Sequence, residues 1–286
     1  KMLYDENENE NMEIIDELNK RAHLRKKAII CGMIILCCVV VIIISIVFLK
    51  KIQVNIFRHP LRDFSSATMK KILLIGGPAG GEALSYNASQ ILILFVVNGL
   101  GNKGLVNIKS YASMFAMLSY MFTSAISQAM QVVLGELLGM GKIEESKRKV
   151  YQTLIAGIIS ALILSSILYF ISDYAYGIFG ITDKELLHIG KMILLIDIAL
   201  ELGRAFNIVF VRALQTSGDI LFPTILSVIF CWSVAVLGSF VLGGKNVWLN
   251  MGLIGVWIAM ASDECIRAII FLIRFKRGAW ERKIIL

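Results

Sequence analysis

Charge is what this sequence has least of. Only 17% of its 286 residues are Asp, Glu, Lys or Arg, against about 25% in an ordinary globular domain. A soluble fold needs polar residues to surround its apolar ones. Here 57% of residues are apolar and the mean hydropathy is +0.74. The same numbers exclude disorder, collagen, disulfide scaffolds and most soluble folds. Lipid is the solvent this composition points to. Catalytic and metal signatures are also missing. The three His (His23, His59, His188) lie in or near expected loops, with no nucleophile–His pair and no carboxylate–His metal spacing. The chain is therefore read as no enzyme, without a cofactor. None of the five Cys forms a Cys-x-x-Cys pair. Cys31, Cys37, Cys38 and Cys231 in apolar runs, and Cys265 in a mixed one, read as small core side chains. The net charge of +8 would suit nucleic acid. In a membrane protein, however, Lys and Arg gather in cytoplasmic loops, so no nucleic-acid partner is expected. Lys1 at the first position leads to the expectation of a processed chain or a piece of something longer.

A spanning helix needs about 20 mostly apolar residues. Seven runs qualify: 28–49, 72–98, 106–138, 150–172, 187–214, 220–242 and 251–275. Barrel strands would be about ten residues long with alternating polarity. These runs are longer and continuous, and backbone groups in lipid must bond within their own segment. The expected fold is an all-α polytopic membrane protein. It divides into a polar charged tail (1–27), a first helix (28–49), a basic loop (50–71), a six-helix block (72–275) and a basic tail (276–286). Gly99, Gly101 and Gly104 break the chain after the second run. Gly139 and Gly141 open a charged loop at 142–149. Ser217-Gly218-Asp219 makes a tight turn, with Pro223 in the first turn of the next helix, where its missing N–H costs little.

Loop charge sets the orientation. Six Lys and Arg lie in 50–71, four in 142–149 and five from Arg274 onward. With Arg212 placed at the tight turn, one side holds 16 and the other five (Lys103, Lys109, Lys184, Lys191, Lys245). The C-terminus is expected in the cytoplasm. Seven spans then put the N-terminus outside, although Arg21, Arg25, Lys26 and Lys27 precede the first helix. The acidic front of 1–27 reads as a solvated tail or a short amphipathic helix.

An ionisable residue at a helix centre in lipid costs about 3 kcal/mol, so it persists where it faces a bundle interior or a watery cavity. Asp197, Glu201, Arg204 and Asn207 follow one another at spacings of four, three and three, within an arc of roughly 120°. One reading is an internal ion pair that glues helices. The other is a path for a cation or proton, because two acids beside one Arg leave surplus negative charge. Gly76, Gly77, Pro78, Gly80 and Gly81 weaken the start of the 72–98 run, permitting a pivot or close packing. No Lys-Ser/Thr follows them, so nucleotide binding is not expected. Glu82, Ser85, Tyr86, Ser89 and Gln90 come next on one broad face, as candidates to line a cavity. Ser124, Gln128, Gln131 and Gly135 form a stripe that reads as helix packing or as substrate contact. Asp263 and Arg267, with Glu264, read as a structural pair or a gate.

Three stretches together resemble a family. Gly76-Gly-Pro-Ala-Gly-Gly-Glu82, with Gln90 eight residues on, is similar to the opening of the seventh helix of multidrug and toxic compound extrusion (MATE) transporters. Gly203-Arg-Ala-Phe-Asn207, then Arg212-Ala-Leu-Gln-Thr-Ser-Gly-Asp219 and Phe222-Pro223, resembles that family's tenth helix and its turn into the eleventh. Gly255-Val-Trp-Ile-Ala-Met-Ala261, with Asp263, Arg267 and Arg274-Phe275, resembles the twelfth. The resemblance covers roughly 70–280. It implies the second six-helix lobe of a twelve-helix, two-lobed, alternating-access exporter, preceded by one helix of a missing first lobe. It further implies a plasma-membrane location, a lipophilic or cationic small substrate, and antiport with Na⁺ or H⁺. Some members place acids midway along the seventh helix and on the tenth. Those positions fall near Tyr86 and Arg204, with Glu82, Asp197 and Glu201 close by. A lipid-linked oligosaccharide flippase of the same superfamily and a non-transporting half or partner subunit are the alternatives.

Overall fold

Apolar runs of this length satisfy their backbone from within, and no strand occurs among the described residues, 66–286 apart from 246–248, 279 and 284–286. In this computed structural model the order is α1 (Ser66–Gly99), α2 (Lys103–Gly139), α3 (Ile143–Phe170), α4 (Ser172–Ile178), α5 (Lys184–Thr216), α6 (Leu221–Phe230), α7 (Leu237–Gly243) and α8 (Gly252–Lys276). A π-helical turn, Cys231–Val236, joins α6 to α7. A 3₁₀ turn, Glu281–Lys283, follows α8. The expected tail 1–27, the helix 28–49 and most of the loop 50–71 lie outside the described residues. Residues 70–286 form one compact unit.

Local chemistry explains the boundaries. Asn102 Oδ1 accepts from Gly104 N (2.8 Å) and Asp183 Oδ1 from Glu185 N (2.9 Å), capping α2 and α5 at N–H groups the first turn leaves free. The stretch 142–149 was expected as a loop, yet it lies almost wholly in α3. Glu144 and Glu145 occupy that helix's first turn, where negative charge meets the positive end of the helix dipole. Lys103, Lys109 and Lys191, expected in connections, also lie inside helices. Pro78 stands within α1, which runs through all five glycine and proline positions without a break. A methyl group added at Gly76, Gly77, Gly80 or Gly81 would meet nothing within 4 Å, so these glycines pack closely against none of the described residues. At Gly218 φ is +94°, the left-handed value that a tight turn needs.

α5 is the axis of the bundle, packing along α8 on one side and against α2 and α3 on the other. The α5–α8 approach depends on Gly203, since a Cβ there would lie 2.9 Å from the backbone of Glu264 and Cys265. The core splits into two apolar clusters. One gathers Ile108, Phe115, Leu194, Leu200 and Trp257, and the other Met130, Leu134, Phe210, Phe271 and Phe275. Between them the same three helices carry buried polar residues: Ser119, Thr123 and Ser127 on α2, Glu201 and Asn207 on α5, and Asp263, Glu264 and Arg267 on α8. By length and composition alone, two spans among the described residues are apolar enough to cross a membrane, Ile143–Phe170 and Leu221–Gly243.

At the far end of α8 the chain folds back on the α5–α6 turn. Asp219, fully buried, accepts from Arg274 Nη2 (2.9 Å) and Lys283 Nζ (2.6 Å). Arg274 also lies over the Phe222 ring, 4.4 Å from its centroid. Trp280 stacks on Phe275 and donates its indole N–H to the Phe275 carbonyl (3.0 Å). Glu281 reaches Lys147 of α3 (2.9 Å).

Candidate functional site

A cavity of about 620 Å³ opens among α1, α2, α5, α6, the π-helical turn and α8. Its position follows from the π-helical turn. There the Cys231 thiol donates to Ser89 Oγ (3.0 Å) and the Trp232 indole to Ser85 Oγ (2.8 Å). Those bonds tie the middle of α1 to the wide turn. Glu82, Tyr86 and Gln90, singled out as lining candidates, all line the cavity. On α5 the lining stripe runs from Asp197 through Arg204, Asn207 and Ile208 to Arg212 and Gln215.

Three carboxylates and two guanidiniums meet where α5 crosses α8, a formal surplus of one negative charge. Arg204 pairs with Glu201 on its own helix. Its Nε is 3.8 Å from Glu264. Arg267 grips Asp263 through both Nε (3.0 Å) and Nη2 (2.7 Å), and Nη2 also reaches Glu264 (3.1 Å). Glu264 therefore sits between two guanidiniums. Asn207 Nδ2 donates to the Glu264 carboxylate (2.5 Å) and backbone carbonyl (2.9 Å). That leaves Asn207 Oδ1 buried without a partner among the described residues. Asp197 is bound differently. It accepts one hydrogen bond, from the Trp257 indole (3.1 Å), and it lines the cavity.

The expected quartet is thus dispersed. Asp197, Glu201, Arg204 and Asn207 share a helical face, but ten residues separate the first from the last, roughly 15 Å along the axis. One ion cannot touch all four. Glu201 is committed to Arg204 and is not among the lining residues, whereas Asp197 is. Gln128 and Gln131 also fall outside the lining. Gln128 donates to Ser124 (3.4 Å), and Gln131 accepts from Arg212 (3.2 Å). Asp263–Arg267 is the intrahelical pair the spacing suggests, and Arg267 lines the cavity as well. Gly218 and Asp219 form the tight turn, with Asp219 also anchoring two cations.

Three participants escaped the spacing argument. Glu264 joins the α5 cluster across a helix contact, which periodicity within one helix does not report. Trp257 had one sequence cue, an indole N–H in an apolar run that needs an acceptor. Arg212 was assigned to the tight turn, but it lies inside α5 and faces the cavity.

Comparison with known proteins agrees with this architecture. The chain is 27% identical over 234 residues to the uncharacterized transporter YisQ of Bacillus subtilis (strain 168), covering 82% of this chain and 50% of that protein. It is 25% identical over 226 residues to the probable multidrug resistance protein NorM of Thermotoga maritima, covering 77% of this chain and 46% of that one. The crystal structure of a MATE transporter in the straight conformation superposes with a TM-score of 0.71 at 18% identity, over 84% of this chain and 55% of that one. The chain spans about half the length of the curated relatives it matches. The fold shared with these solved structures is that of all-α integral membrane transporters. The MatE family model matches residues 78–241, more than half of the sequence, and this chain belongs to that family.

Proposed function

We propose that the chain serves as the second lobe of a proton-coupled exporter of amphipathic organic cations in the cell membrane, with its C-terminus in the cytoplasm. The observation that carries this reading is the cavity-lining carboxylate of Asp197, to which no guanidinium bonds among the described residues. A cavity of about 620 Å³ is of the size that holds a drug-like molecule. Its apolar wall, including Ile208 and Val211, faces the hydrophobic part of such a cargo. Asp197 is the coupling group, because it opens on the cavity and no guanidinium pairs with it directly among the described residues. A proton suits it better than Na⁺. Its side-chain partner is an indole N–H, which donates and cannot ligate a cation. Protonation of Asp197 removes a negative charge from the cavity wall and weakens its hold on a cationic cargo. Only this differential affinity lets an ion shift the balance between inward- and outward-open states.

The test is efflux from proteoliposomes, using the protein as the cell makes it and a fluorescent lipophilic cation. An imposed pH gradient drives efflux in the wild type. Asp197→Asn abolishes the response at equal protein content, and Glu201→Gln lowers it less. Full pH-driven efflux from Asp197→Asn overturns the coupling role. Efflux driven by a Na⁺ gradient alone replaces the proton with Na⁺.

A further inference from the structure

Arg212 is the one cavity-lining guanidinium for which the described residues supply no carboxylate. Arg204 and Arg267 are each held by acids. Arg212 instead donates through Nη1 to Gln131 Oε1 and through Nη2 to Ser124 Oγ, both at 3.2 Å. These acceptors are neutral. They fix the plane of the guanidinium without cancelling its charge. A guanidinium carries five N–H groups, and these two bonds use two of them. Gln215, one turn further along, adds an amide to the same part of the wall. Eight residues separate Arg212 from Arg204, roughly 12 Å along the helix, and Ile208 and Val211 stand between them. The cavity therefore has an acidic pole at the α5–α8 crossing and a basic pole one turn from the end of α5.

A half-buried cation without a carboxylate partner needs water or an anion to offset its lost hydration. An Arg held flat by two side acceptors is preorganised for a planar or tetrahedral oxyanion. We infer that Arg212, oriented by Gln131 and Ser124, is a subsite for an anionic oxygen group, so that the cavity accepts cargo bearing a carboxylate or phosphate as well as a cationic end. This rests on the reading of the cavity as a cargo site and extends it from plain cations to zwitterions. The same chemistry fits a lipid phosphate, and the lipid arm below separates the two sources.

Rhodamine 110 and its methyl ester, rhodamine 123, share one cationic ring system and differ in a free carboxylate. Binding of both is measured by fluorescence anisotropy on the full protein in phosphatidylcholine nanodiscs. The expected result is a preference for rhodamine 110 in the wild type. Arg212→Gln lowers the ratio of the two affinities about tenfold or more, as loss of a charged hydrogen bond does. Arg212→Lys, which keeps the charge, recovers part of that ratio. In phosphatidylglycerol nanodiscs, a loss of the wild-type preference larger than the shift Arg212→Gln shows in the same discs identifies a lipid phosphate in the subsite, and a shift equal to the variant's leaves the subsite to cargo. An Arg212→Gln variant that loses both dyes equally, or neither, overturns the anion subsite. Absence of binding of either dye to the wild type sinks the cargo-cavity reading itself, a separate result.

Discussion

Arg267 holds two carboxylates at once, Asp263 by a two-point contact and Glu264 at 3.1 Å. Removing it strands Asp263 between apolar clusters and leaves Glu264 to Arg204 and Asn207 alone. Breaking a buried pair in this way costs on the order of 3–5 kcal/mol. Arg267→Met is expected to lower unfolding stability in detergent by that amount, and a matching Asp263→Leu, Arg267→Met double variant to recover much of it. Denaturant titration of the purified protein checks both. Spacing made the Asp263–Arg267 pair legible, because residues four apart meet on any helix. It left Glu264 obscure, since its neighbours Arg204 and Asn207 come from another helix. Arg212 was misplaced for a related reason. Four residues before a turn, a basic side chain belongs equally to a loop count or to a helix face, and only packing decides.

Among the elements, the α5–α8 contact decides whether the charged cluster exists. Gly203 lets the two backbones approach until Asn207 reaches Glu264. Gly203→Ala places a methyl against main-chain atoms, which cannot swing aside as a side chain can. A loss of about 1–3 kcal/mol is expected from such overpacking, together with a lower thermal midpoint. If the midpoint stays within error of wild type, the close approach is not what holds the pair. Among the described residues hydropathy located the helices well, because continuous apolar runs in lipid allow little else. The segment around Pro78 is continuous helix in α1, since a proline removes one bond and its neighbours keep theirs. One local reading differed. The charged stretch 142–149 begins α3, since its acids suit a helix start. The π-helical turn at Cys231–Val236 left no mark in the sequence, as its residues are the same apolar types found in an ordinary span.

Across the described residues, a layer of buried polar side chains on α2, α5 and α8 lies between two apolar clusters, and a clasp closes one end. Asp219→Ala frees Arg274 and Lys283 at that clasp. Each charged hydrogen bond is worth about 1.5–3 kcal/mol, so trypsin is expected to cut after Arg277 at least tenfold faster in the variant, read by mass spectrometry of the released end. An unchanged cleavage rate means that the Trp280–Phe275 contact and the Glu281–Lys147 pair secure the tail without Asp219. The clasp also imposes an order on biosynthesis. Asp219 is translated 55 residues before Arg274 and 64 before Lys283, a delay on the order of several seconds at ribosomal speeds. During that interval the fully enclosed position of Asp219 has no cation from α8 or the tail to neutralise it. The nascent hairpin of α5 and α6 must then keep its turn at the watery interface, and the lobe locks only after residues 274–283 emerge.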